Sequence, residues 1–100
     1  MNIPSKQYAA WHKLASSQIL EFKDQLIEDI DHIELDFYAP DRRGTDLTNK
    51  AESIMDLLVD NGIIKDDNWW IVSRLVLNFM GVDKADPRCS VYIHRKTNGN

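Results

Sequence analysis

Cysteine is nearly missing from this sequence. Cys89 is the single one in 100 residues, which excludes an internal disulfide and a cysteine zinc cluster and makes a reducing cytosol the expected setting. Nor is there an apolar run near the roughly 18 residues a membrane-spanning helix needs, so no membrane partner is expected. The first residues do not read as a charged and then apolar leader, and a cytoplasmic location follows as the expectation. A basic excess is lacking too. The formal net charge is −4, whereas general nucleic-acid binders carry a surplus of Lys and Arg. That deficit is uneven: residues 1–38 hold three lysines against seven acids, and residues 83–100 hold four basic residues against two acids. A phosphate backbone is therefore repelled by the first third and not by the rest. Internal repeats and low-complexity segments are also absent.

What is present fits one small domain over residues 1–100. Folding at this length hides about 60–65% of the surface the unfolded chain exposes, so the core is thin and a partner chain adds to it. Pro4 and Ser5 are helix-start signals, and Tyr8, Trp11, Leu14 or Ala15, Ile19, Phe22, Leu26 and Ile30 follow in three- and four-residue steps. That stripe predicts a helix ending near residue 28. "HIELDFYAP" changes to a period of two, with Ile33, Leu35 and Phe37 alternating with polar neighbours, and predicts a strand. A second helix is predicted from Asp46–Asn49 to about Asp60, stopped by Asn61-Gly62. "NWWIVSRLVLNFMG" and "CSVYIHR" read as two further strands joined as an antiparallel hairpin, and residues 95–100 as a frayed tail. The expected class is α/β (α+β): order α-β-α-β-β, with the helices on one face of a small mixed sheet. Three strands leave exposed edges, and exposed edges favour a homodimer.

Several residues have a plain structural reading. His12, His32 and His94 lie on separate elements and share no ligand spacing, which favours surface or half-buried roles. Trp69 and Trp70 would alternate on a strand, one in the core and the other free to stack on a base. The run Glu28, Asp29, Asp31 reads as a solvated helix end, and Cys89 as a small buried residue.

The stretch "PDRRGTDLTNKAESIMDLLVDNGIIKDD", residues 40–67, places carboxylates at both ends of one helix. A helix of about twelve residues is about 18 Å long. Asp46 and Asp67 can meet only if the chain after Gly62 folds back along it. Otherwise Asp46, Thr48 and Asn49 are cap residues and Asp66-Asp67-Asn68 a polar turn.

This stretch resembles the central motif of the RusA-type Holliday-junction resolvases. Their pattern is a strand, then proline-aspartate with basic residues, D-x-D-N, a helix with a lysine, a D-x-L step, a glycine turn and a paired aspartate. The counterparts are Pro40-Asp41-Arg42-Arg43, Asp46-Leu47-Thr48-Asn49, Asp56-Leu57-Leu58, Gly62 and Asp66-Asp67, without a gap. The likeness covers roughly residues 33–94. It implies a homodimeric endonuclease that cuts four-way DNA junctions with Mg²⁺ or Mn²⁺ held by aspartates. Asp46 corresponds to the first metal aspartate and Asp67 to the distal one, with Asp66 beside it and Asn49 as the motif asparagine. Thr48 stands where the family has its second metal aspartate, and Glu52 where it has the helical lysine. The resemblance then implies Glu52 as substitute carboxylate and Lys50 as substitute cation, against the plain reading of two solvent-facing charges. Arg42 and Arg43 would position phosphates without reading sequence. The family's first strand has no counterpart before "IPSKQYAAW", which leaves a second possibility: a non-cutting scaffold that binds DNA or protein.

Overall fold

The computed structural model describes residues 1–4 and 11–97. Its elements are β1 (Asn2–Pro4), α1 (Trp11–Gln18), a single 3₁₀ turn (Leu20–Phe22), β2 (Ile30–Ala39), α2 (Leu47–Asp60), β3 (Leu75–Val82) and β4 (Arg88–Arg95). Four strands form one mixed sheet in the order β1-β4-β2-β3. The expected α+β class, with a small mixed sheet and two helices, is what the chain adopts. Ile33 and Leu35 of β2 and Val91 of β4 are buried in one apolar core with Ile54, Leu57 and Leu58 of α2.

Four expectations are corrected. The first helix does not run to residue 28. It ends at Gln18, where Ser17 Oγ donates to the Leu14 carbonyl, a side-chain bond of the kind that competes with helical geometry. The chain then turns through positive φ at Asp24 and Leu26 to lie along residues 61–65. There the Asp24, Leu26 and Ile27 amides donate to the Asn61, Gly62 and Ile63 carbonyls. Leu26, read as part of the apolar stripe, is 55% exposed. The Ser5 cap and Tyr8 lie outside the described residues.

Second, β3 and β4 form no hairpin. β3 pairs parallel with β2, and β4 pairs antiparallel with β2 on its other side. The helix α2 is a crossover of the kind parallel neighbours require. The residues after β3 then pass over the end of β2, where the Asp83 amide donates to the Ala39 carbonyl. Five residues easily span the roughly 10 Å that skipping one strand demands. Third, a strand does precede α1: β1 pairs antiparallel with β4, Ile3 opposite Cys89. Fourth, residues 68–74 are not strand. Trp69 and Trp70 are 76% and 84% exposed, so neither tryptophan is core. At the other end, Arg95 belongs to β4 and the Lys96 amide donates to the Asp29 carbonyl, so the tail is tied down that far.

The acidic run is also occupied. Arg95 grips Asp29 at 2.6–3.1 Å, Lys65 meets Glu28 at 3.2 Å, and Asp31 meets His32 at 2.6 Å. Cys89 is buried as expected, and desolvation pushes its thiol up to about 12, so it stays protonated and unreactive.

The stop after α2 is closely packed against the 24–27 strap. Gly62 has φ +64°, and a Cβ there would lie 2.8 Å from Asp24 Oδ1 and 3.3 Å from Asp24 Cα. The carboxylate can swing aside, but the backbone Cα cannot. Gly62→Ala is therefore expected to cost about 1–3 kcal/mol, from left-handed strain plus displacement of the 24–27 strap. Urea denaturation measures this; a loss of only a few tenths would show that the strap yields freely.

Candidate functional site

Helix α2 positions most of the residues singled out by the motif. Asp46 is its N-cap, extended at φ −71° and ψ 117°, and its Oδ1 accepts from the Thr48 amide at 3.0 Å and the Thr48 hydroxyl at 2.7 Å. Those bonds, the hydroxyl first, hold the Asp46 carboxyl below its usual range. Asp66 is arranged similarly. Its Oδ1 accepts from the Asp67 amide at 2.8 Å and its Oδ2 from Asn68 Nδ2 at 2.9 Å, and the Asp67 amide is the main cause of its lowered pKa.

Two depressions flank α2. The smaller, about 490 Å³, is lined by Thr48, Glu52 and Asp56 on successive turns of the helix, by Asp67, and by apolar Met55, Val72, Leu75 and Leu77. The connection after Gly62 thus does fold back along the helix far enough for Asp67 to share a cleft with residues 48–56 of α2. The larger groove, about 970 Å³, takes in Asp46, Asn49, Lys50, Arg42 and Arg43, together with Trp11, Tyr38, Phe79 and Arg88. One flank of α2 is acidic and the other carries most of the nearby cations. Thr48 joins the two flanks, lining the acidic cleft while its hydroxyl holds Asp46.

The motif residues are therefore divided. Asp67, Glu52 and Thr48 share one cleft; Asp46, Asn49, Lys50, Arg42 and Arg43 share the other groove. Asp46, Glu52, Asp66 and Asp67 do not supply three carboxylates within 4.8 Å of one another; among the described residues that spacing is met by His32, Glu34 and His94. The basic residues are unequal too. Arg43 is held by Asp41 through both Nε and a terminal nitrogen at 3.1 and 2.9 Å. Arg88 is held by Asp83 at 2.9 Å and stacks 3.8 Å above the Tyr38 ring. Arg42 and Lys50 are exposed and stand outside those pairs.

The histidine group was missed from sequence because His32 and His94 are 62 positions apart, and only the antiparallel β2–β4 register sets them opposite each other. The available signal was the shared period of two, which puts His32 and Glu34 on the polar face of one strand and His94 on that of another.

Asp29, Asp31, Asp41, Asp46, Asp66 and Asp83 all sit below the ordinary 3.8. Hydrogen bonds to the ionised form are the leading cause in each. A lowered folded-state pKa means stability that is complete above the unfolded value and lost as pH falls through the folded values. The melting temperature is therefore expected to hold from pH 7 to about 5 and to drop steeply below about 4. Thermal melts across pH 2–7 check this; a profile flat down to pH 3 would contradict these bonds.

No helix of the described residues is long and apolar enough to cross a membrane. In comparison with known proteins, no family model matches the chain and no curated protein matches it.

Proposed function

We propose that this protein is a metal-dependent endonuclease for branched DNA, of the kind its residue 40–67 motif resembles, acting as a homodimer. The observation that supports this most is that Asp67 lines one cleft along α2 with Thr48, Glu52 and Asp56. A connection that ran away from the helix would have left Asp67 apart from Thr48 and Glu52 altogether.

The donor set suits magnesium. Carboxylate and hydroxyl oxygens are the hard ligands Mg²⁺ prefers, and one or two carboxylates suffice when water and substrate phosphates complete the shell. Asp67 and Glu52 of the acidic cleft would hold the ion, with Asp66 next to Asp67 in the chain and Asp46, on the other flank of α2, reaching the cleft only through its bond to Thr48. Bound Mg²⁺ or Mn²⁺ supplies Lewis acidity at a scissile phosphate and lowers the pKa of water. The chain's own groups do the rest. Arg42 and Lys50 draw a phosphate backbone toward the N-terminus of α2, whose dipole also favours anions. Asn49, on the same groove, offers an amide to the phosphate or sugar. Thr48 fixes the Asp46 rotamer, and the low Asp46 pKa keeps that carboxylate charged throughout the neutral range. The outer edge of β3, with Phe79 62% exposed and Leu75 and Val82 also open, suits a second copy, and a two-fold dimer matches the paired scissile sites of a junction.

A second reading is favoured by one observation. Asp46 is already satisfied locally by Thr48, as in a simple helix cap, which fits a scaffold that binds branched DNA without cutting it. The test is a synthetic four-way junction beside a linear duplex of the same sequence, with Mg²⁺ or Mn²⁺. Symmetrical nicks in the junction are expected. Tight binding with no nicks under either metal assigns the chain to the non-cutting scaffold, and equal weak binding to both DNAs sinks both readings.

A further inference from the structure

On the sheet face turned away from α2, β2 and β4 bring three potential ligands together. His32 stands directly opposite His94, and Glu34 lies two positions along β2 on the same face. One ligating atom from each lies within 4.8 Å of the others. The two imidazoles are stacked, centroids 4.1 Å apart and planes at 13°. From this geometry we infer that His32, Glu34 and His94 form a binding site for one transition-metal dication of the zinc class.

An irregularity in β2 supports the inference independently. The register passes from Ile30 opposite Arg95 to His32 opposite His94, leaving Asp31 without a partner. In an unbroken strand Asp31 and His32 would point to opposite faces. The bulge instead lets the Asp31 carboxylate meet His32 Nδ1 at 2.6 Å. A carboxylate acceptor there requires the proton on Nδ1, which leaves the Nε2 lone pair for a metal. This is the carboxylate–histidine arrangement that orients metal-binding imidazoles and raises their basicity. It also draws the Asp31 carboxyl below its usual range.

Ligand chemistry sets the ion. Two imidazole nitrogens and one carboxylate suit zinc and its transition-metal neighbours, not magnesium. Asp31 and Glu34 contribute two negative charges, against Arg74, whose charge also reaches Asp31. Bonds of about 2.0–2.1 Å in tetrahedral geometry place ligands about 3.3 Å apart. The rings must therefore splay from their stack, and the exposed His94 has the freedom to turn. Three protein ligands leave the fourth position to water or a small anion. The site lies across the sheet from the α2 clefts and does not depend on their function.

Calorimetric titration with Zn²⁺ at pH 7, on protein without a histidine tag, tests the site. One Zn²⁺ per chain is expected, bound at least tenfold more weakly by His94→Ala and by Glu34→Gln, and about tenfold more weakly by Asp31→Asn. Mg²⁺ in excess should not displace it. Both His94→Ala and Glu34→Gln change the polar face and leave the core intact, and circular dichroism verifies that they fold. His32 and His94 ring-nitrogen resonances should shift together on adding Zn²⁺. The inference is overturned if the wild type takes up no Zn²⁺, or if either of those two variants binds it as tightly as the wild type.

Discussion

Asp67→Asn is expected to lower junction cleavage by roughly 10²-fold or more, since even residues that merely support metal ligands cost 10–100-fold when changed, while junction binding and the melting temperature hold. Asparagine keeps the shape of the side chain and removes its charge. Asp67 is exposed, and its backbone amide, which bonds Asp66, is untouched. A hundredfold loss corresponds to about 2.7 kcal/mol of transition-state stabilisation. Asp46→Asn sharpens the comparison because asparagine is as good an N-cap as aspartate, whereas alanine there costs about 1 kcal/mol of stability. Cleavage lost in Asp46→Asn with an unchanged melt would separate a metal role from a capping role. Single-turnover cleavage of a labelled junction reads both variants. Asp67→Asn cutting at the wild-type rate would remove the acidic cleft from the reaction.

Leu58→Ala carries the largest expected loss of stability, about 2–5 kcal/mol. Leu58 is fully buried on the face of α2 that meets the sheet, and truncation leaves a cavity that rigid neighbours cannot close. A 100-residue domain has only about 5–15 kcal/mol in total, so the variant should unfold at a distinctly lower urea concentration with an unchanged slope. Leu26→Ala is the matched control. Its side chain is mostly in solvent, and the change should stay within about 0.5 kcal/mol. Equal losses for the two would mean that α2 does not cover the core as described.

Much of the centre of the molecule was readable from residue order. The period of two in Ile33, Leu35 and Phe37 gave β2 its buried face. The expected start at Asp46–Asn49 and the Asn61-Gly62 stop bracketed α2, observed over Leu47–Asp60, because capping and left-handed glycine are local effects. What failed depended on distant partners. "NWW" has strand composition, but a strand forms only where a neighbour supplies pairing, and β2 offers that from Leu75 onward. The hairpin was the shortest connection for β3 and β4, yet Cys89 and Val91 are buried only if β4 enters between β1 and β2. The first helix lost its last turns to Gly62 and Ile63, whose carbonyls claimed the amides of residues 26 and 27. In the site, the motif indicated which residues flank α2 and not that Asp46 would turn to one groove and Asp67 to the other cleft. The histidine group required the β2–β4 register, which no local pattern encodes.

The place of β4 in the sheet has a consequence for how the protein comes into being. Of the four strands, the one latest in sequence, β4, lies in the interior, and Asn2 pairs with Ser90 across a long stretch of chain. The β2–α2–β3 unit can form from local sequence, but one side of β2 stays open until β4 arrives. Closing such long loops slows folding, and an open strand edge meanwhile recruits other chains. Yield on refolding should therefore depend on protein concentration more steeply than native stability does, because the vulnerable species is a sheet still waiting for its central strand.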